Sequence, residues 1–292
     1  MRTRPLLLAL TASLLCTPVA SALSEFGIEG MGVVSTRADE LRASLSADGQ
    51  RIVWASNRDG GAGGWDLWQA SLQGTRWMEA QPLALNSEAD EVDPFLSADG
   101  HWLYFASNRT GGRGGFDLYR AAVRPDGSFG APQPLGKTLN SRHDERSPAL
   151  ADDGRLLFTS NRPGAAGGWD LWQADSAGAD FSAPTPLAGI NSAADEIDGS
   201  WLSGGRAVLF ARTAAEGGTR VWLAQCRQGR WAEPAALALS FNTPEGTTRG
   251  ALVDASKPAE LVLSGSARAP RAGGLDLYRL KAPAVDGSGD CR

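Results

Sequence analysis

Short apolar runs of four to seven residues alternate with polar turns along almost the whole chain. Trp102-Leu103-Tyr104-Phe105-Ala106 is typical, bounded by Asp99-Gly100 on one side and Ser107-Asn108-Arg109 on the other. Runs of this length, rich in aromatic and aliphatic residues and separated by Asp-Gly and Gly-Gly, predict strands joined by hairpins.

The pattern repeats. Asp39-Glu40, Asp90-Glu91, Asp144-Glu145 and Asp195-Glu196 recur at intervals of 51, 54 and 51 residues, and Gly246 stands where a fifth acidic pair is expected. Each pair leads into an apolar run, then a turn such as Leu45-Ser46-Ala47-Asp48-Gly49, then an alternating run. Ser-Asn-Arg follows at 56–58, 107–109 and 160–162, then a glycine loop, then Trp65-Asp66-Leu67-Trp68, Phe116-Asp117-Leu118-Tyr119 or Trp169-Asp170-Leu171-Trp172. Units close at Asn86-Ser87, Asn140-Ser141, Asn191-Ser192 and Asn242-Thr243. Four strands per unit make one small antiparallel sheet, which cannot cover both of its apolar faces alone. Neighbouring copies must do so, and a ring needs no capping repeat.

The expectation is therefore an all-β, five-bladed propeller with blades near 38–88, 89–142, 143–193, 194–244 and 245–282, followed by a tail at 283–292. The fifth unit runs out after Gly274-Leu275-Asp276-Leu277-Tyr278, its third strand. Residues 26–36 read like the closing strand of the third unit, so they are expected to complete the last blade and close the ring.

Composition narrows this further. The 36 Gly and 10 Trp suit strands and turns rather than helices, and past residue 22 no apolar stretch is long enough for a membrane helix. Residues 1–22 read as an export signal. Arg2 and Arg4 precede the apolar run Leu6–Cys16, and Ala20-Ser21-Ala22 supplies the small residues of a cleavage site. Cleavage near Ala22 would send a monomer to the periplasm or the medium. Cys226 and Cys291 then remain; they either pair in an oxidising compartment or stay a buried thiol and a loose tail thiol. A net charge of −5 and only three Lys (Lys137, Lys257, Lys281) speak against a nucleic-acid partner.

The string Asp-Glu … Ser-x-Asp-Gly … Phe-x-Ser-Asn-Arg … Gly-Gly-x-Asp-Leu-Tyr resembles the WD40-like β-propeller repeat of the TolB type, over roughly residues 26–282. The resemblance implies an exported propeller that binds other proteins at the cell envelope. The chain departs from that type in having five units rather than six, and in having only a strand's length between the export signal and the first unit, where that type carries a separate α/β domain.

A residue present once per unit is expected to be architectural. Arg58, Arg109, Arg162, Arg212 and Arg268 are read as equivalent, each gripping a carboxylate of the acidic pair of its own or the next blade (Glu40, Glu91, Glu145, Glu196) with both guanidinium nitrogens, against the alternative of a charged rim around the channel that grips a ligand. Asp66, Asp117, Asp170 and Asp276 recur in four units, and Arg220 replaces them in the fourth. Function is expected where the repeats differ. Two places after the acidic pair stand Arg42, Asp93, Ser147, Asp198 and Arg249, read as a mixed-charge ring around one mouth of the channel. That ring is the candidate binding site for a peptide or envelope component, against the alternative that these are tolerant solvent positions. No catalytic residue is assigned. The alternative function is a carbohydrate-active enzyme using two carboxylates at the mouth. Only His101 and His143 are available, so a His-rich metal site is excluded; calcium at the carboxylates is the one cofactor the chemistry would suit. Gly136-Lys137-Thr138 lacks the first Gly of a phosphate loop.

Overall fold

The computed structural model describes residues 23–178 and 180–291. The proposed export signal at 1–22 lies outside the described residues. The sheets form five blades, and their first strands touch in cyclic order, with the fifth meeting the first. Blade one comprises Glu40–Leu45, Arg51–Ser56, Asp66–Gln73 and Arg76–Pro82, ordered from the axis outwards. Blades two, three and four repeat this from Glu91–Leu96, Glu145–Leu150 and Glu196–Leu202, each with a two-residue outer strand. The only α-helix among the described residues is the single turn Gly136–Leu139.

Blade five is assembled from both ends of the chain. Thr248–Val253, Glu260–Gly265 and Asp276–Lys281 are joined by Glu25–Ile28, which pairs antiparallel with the last of them. The closing strand is four residues long, shorter than the run expected, because the chain turns at Gly30 (φ 56°) directly after it. A Cβ at Gly30 would stand 2.6 Å from the Val34 side chain, so this tight turn requires glycine.

Each sheet interior is built on one cross-strand pair: Trp54 with Trp68, Phe105 with Tyr119, Phe158 with Trp172, Phe210 with Trp222, and Leu263 with Tyr278. The first member of every pair is fully buried. Burying a side chain of this size stabilises the fold by about 1.5–3 kcal/mol.

Two polar devices join blade to blade, and a third works within a blade. The side-chain amides of Asn86, Asn140, Asn191 and Asn242 sit in the linkers between blades. Each accepts the N–H of Leu67, Leu118, Leu171 or Val221 in the preceding third strand and donates to that residue's carbonyl. Ser35 plays this part for Leu277 at the ring closure. The first Asp of each acidic pair accepts a backbone N–H from the previous blade. Asp90 takes Trp65, Asp144 takes Phe116, Asp195 takes Trp169, and Asp39 takes Leu275 across the closure. Asp66, Asp117, Asp170 and Asp276 instead cap their own glycine loops through backbone N–H groups.

Cys226 and Cys291 are disulfide-bonded, with Cα atoms 5.7 Å apart. The tail is thereby held along blade four, where Ser288 exchanges backbone hydrogen bonds with Cys226 and Gln228. The bond fastens the end of blade five to blade four.

Candidate functional site

The repeated Glu–Arg pairs are structural and differ in detail from the expectation. Glu40, Glu91 and Glu145 are fully buried, and each meets the arginine of its own blade: Arg58 at 3.0 Å, Arg109 at 2.8 Å and Arg162 at 2.8 Å. One nitrogen makes each contact, not two. Nε donates to the neighbouring serine hydroxyl, and other N–H groups reach carbonyls of the preceding linker. The guanidinium lies over the aromatic pair of the sheet, Arg58 over both Trp54 and Trp68 at 5.1 Å. Burial pushes the carboxyls of Glu40 and Glu145 up, only partly offset by the Thr36 or Ser141 hydrogen bonds and the arginine.

Arg212 and Arg268 are not equivalent to these in sequence position. Arg212 pairs with Glu196 in the ladder at the place held by Ser56, Ser107 and Ser160, two residues earlier than the other arginines. Its guanidinium still reaches Glu196 at 2.6 Å and lies over Phe210 and Trp222, so the same contact is made from a different rung. In blade five Thr248 replaces the glutamate. The Phe241 ring packs against Tyr278 in a tilted arrangement, centroids 4.9 Å apart, and fills the arginine's place, while Arg268 is exposed and lines a groove beside Phe26. An apolar group thus stands in for a buried ion pair within the same molecule.

The variable ring is also corrected. Arg42, Asp93, Ser147 and Asp198 occupy equivalent places, but the fifth is Gly250, not Arg249. The register puts Arg249 with Leu41, Val92, Arg146 and Ile197. A β-bulge lies at this point of all five first strands. The bulged residue takes a left-handed conformation: φ is 43° at Arg42, 57° at Asp93, 55° at Ser147, 57° at Asp198 and 65° at Gly250. Such a conformation costs a non-glycine residue about 1–3 kcal/mol, so it persists only where the surroundings enforce it. Bulges re-aim side chains, and here they turn four of them into the axis.

These are not solvent positions. Arg42, Asp93, Ser147 and Asp198 are each about 1% exposed. Arg42 spans the channel, its Nη2 donating to the carbonyls of Ser147, Pro148 and Gly199. Ser147 Oγ donates to Asp198 Oδ1 at 2.7 Å and the Ser147 N–H to Asp93 Oδ2 at 3.2 Å, so one serine links the two carboxylates. Asp93 is paired with Arg146 Nε at 3.0 Å and Asp198 with Arg249 Nε at 2.6 Å. Burial alone would raise the Asp198 carboxyl, but Arg249, Arg42 and the Ser147 hydroxyl outweigh it and hold it well below the usual carboxylate range. Burial lowers Arg42, against the pull of Asp198 and Asp93. Arg146 was missed as a site residue; its signal is a charge where Leu41, Val92 and Ile197 stand in other blades.

Above this network the mouth opens into a cavity of about 210 Å³ lined by Arg146, Trp169, Asp195, Thr213 and Arg249. It presents arginines and an indole around neutralised carboxylates. Among the described residues no cluster of three or more His, Cys, Asp or Glu is arranged to hold a metal ion. No helix among them is long and apolar enough to cross a membrane.

No protein-family model matches the chain, and no curated protein matches it. Solved structures do. The TolB of Acinetobacter baumannii is 13% identical with a TM-score of 0.51, covering 87% of this chain; the match spans 57% of that protein's length. A putative TolB from Agrobacterium tumefaciens is 13% identical with a TM-score of 0.54, over 90% of this chain and 100% of that one. An endo-arabinase from Bacteroides thetaiotaomicron VPI-5482 is 13% identical with a TM-score of 0.57, over 92% of this chain and 100% of that one. At such identities the likeness is one of fold: the chain is a five-bladed β-propeller that shares its architecture with TolB propellers and with a glycoside-cleaving enzyme alike.

Proposed function

We propose that the protein is an exported, monomeric, non-catalytic propeller that binds a protein or peptide of the cell envelope, as the TolB likeness suggests. The observation that carries this is the state of the mouth carboxylates. A glycosidase needs one carboxylic acid that holds its proton and a second carboxylate free to act as base or nucleophile. Asp93 and Asp198 are each tied to an arginine and to Ser147, and Asp198 is driven towards ionisation rather than away from it. What remains at the mouth is a rigid surface of Arg146, Arg249, Trp169 and Asp195, held by strand ends of blades three to five and suited to recognition.

The competing reading is a carbohydrate-active enzyme, which the endo-arabinase likeness and the paired carboxylates bring forward. The test is a screen of oligosaccharides, arabinan fragments included, with reducing-end detection. The expected result is no turnover. Hydrolysis that disappears in both Asp93→Asn and Asp198→Asn would establish the enzyme instead.

A further inference from the structure

The same five first strands that start at the ion-paired mouth end in a different environment. Their far ends enclose a bowl of about 320 Å³ on the channel axis. All five blades contribute to it, and its walls are mainly apolar: Leu45, Phe95, Leu150, Trp201, Leu252 and Val253. Phe95, Leu150 and Val253 are only half-buried, so their apolar surface faces the opening. Apolar side chains of three blades converging on an axial recess, at the end of the ring opposite the salt bridges, are an expected anchor point for a partner.

The rim is acidic on one side and basic on the other. The hairpins between first and second strands carry the exposed carboxylates Asp48, Asp99 and Asp152 on blades one, two and three. Blade four carries Arg206 and blade five Lys257 at the corresponding hairpins. From the acidic side a groove of about 480 Å³ runs outwards between the hairpins of blades one and two, flanked by Asp48 and Asp99. Leu96 and Ala98 line both groove and bowl, so the two are continuous. Arg51, which also lines the groove, is turned to the outer wall, where it donates to the Gly127 carbonyl and lies over Phe129. Both aspartates are held as anions by local donors. Ser46 and the Gln50 N–H lower Asp48, and Ser97 and the His101 N–H lower Asp99.

We infer that this bowl and groove form a second docking surface, for an extended peptide segment that places one large apolar side chain on the axis and Lys or Arg beside it between Asp48 and Asp99. The apolar anchor supplies affinity by leaving water, and the acidic flanks choose the sign of the neighbouring residues and the direction of the segment. The surface is distinct from the ion-paired mouth and does not depend on what that mouth binds.

The test uses the purified protein and fluorescent heptapeptides with a central Leu, Phe or Trp and flanks of Lys, Ala or Glu. Anisotropy should show binding of Lys-flanked peptides with an apolar centre, weaker binding with Ala flanks, and none with Glu flanks or a central Gly. The double variant Asp48→Asn/Asp99→Asn keeps the Oδ1 acceptor that each hairpin uses. It should weaken Lys-flanked peptides by about tenfold or more and erase their advantage over Ala-flanked ones. Ala98→Arg, at an exposed position shared by bowl and groove, should block all of them. Binding indifferent to flank charge, binding unaffected by Ala98→Arg, or no binding by any peptide of the panel would overturn the proposal. An envelope partner captured equally by wild type and Ala98→Arg would leave the binding-module reading intact while sinking this surface.

Discussion

Replacing Arg162 by Gln should reveal how much one blade depends on its buried ion pair. Glu145 is fully buried and accepts from Ser141 N–H at 2.8 Å, Ser141 Oγ at 2.6 Å, Ser160 Oγ at 3.1 Å and Arg162 Nη2 at 2.8 Å. Removing one partner of a buried pair costs about 3–5 kcal/mol. Glu145 keeps its other donors and Arg162 is 11% exposed, so we expect about 2–3 kcal/mol at neutral pH. For a chain of this size that lowers the unfolding temperature by about 5–10 °C. The loss should depend on pH. The Glu145 carboxyl is already raised from 4.5 by burial, so the folded state holds its proton more tightly than the unfolded state. Its cost to stability is therefore absent below the unfolded value and grows as pH rises towards the folded one. Without Arg162 the folded value climbs further. Denaturant unfolding at about pH 4 and about pH 7.5 should show a small difference from wild type in acid and the full difference near neutrality. Glu145→Gln on top of Arg162→Gln should restore part of the neutral-pH loss, since no buried charge is then left unpaired. A loss equal at both pH values, or no recovery in the double variant, would refute the reasoning.

Other outcomes follow from the same structure. Deleting residues 23–36 removes the closing strand, the Ser35 contact to Leu277 and the Glu29 partner of Arg279; the protein should lose its cooperative thermal transition, and unchanged unfolding would contradict ring closure. Cys291→Ser opens a crosslink spanning 65 residues, which loop entropy values at about 4 kcal/mol, so its calorimetric transition should fall by several degrees. The depressed Asp198 carboxyl contributes stability that is complete above its unfolded value and lost as pH falls through the folded one. Arg249→Gln should therefore flatten the loss of stability in acid, read by urea unfolding below about pH 4, and an unchanged slope would argue against the pair.

The blade count, the ring closure and the acidic pairs were legible because each leaves a mark once per repeat. Asn86, Asn140, Asn191 and Asn242 recur as visibly, but only coordinates show both ends of each amide on one backbone residue. The misplaced arginines fall where the repeat slips by one or two residues. Arg212 reaches Glu196 from the serine rung, and counting from Gly246 placed Arg249 in a ring that Gly250 completes. Spacing cannot reveal such slips, because a long side chain makes one contact from several rungs. The burial of Arg42, Asp93 and Asp198 was also illegible. Charge suggests solvent, and the bulges that turn these side chains to the axis are a property of the backbone.

The most direct test of the binding reading is photocrosslinking from position 213, where Thr213 lines the ion-paired mouth, in extracts of the envelope. The account predicts a discrete protein adduct that vanishes when Trp169→Ala or Arg249→Glu alters the mouth. An adduct pattern indifferent to both changes would contradict it.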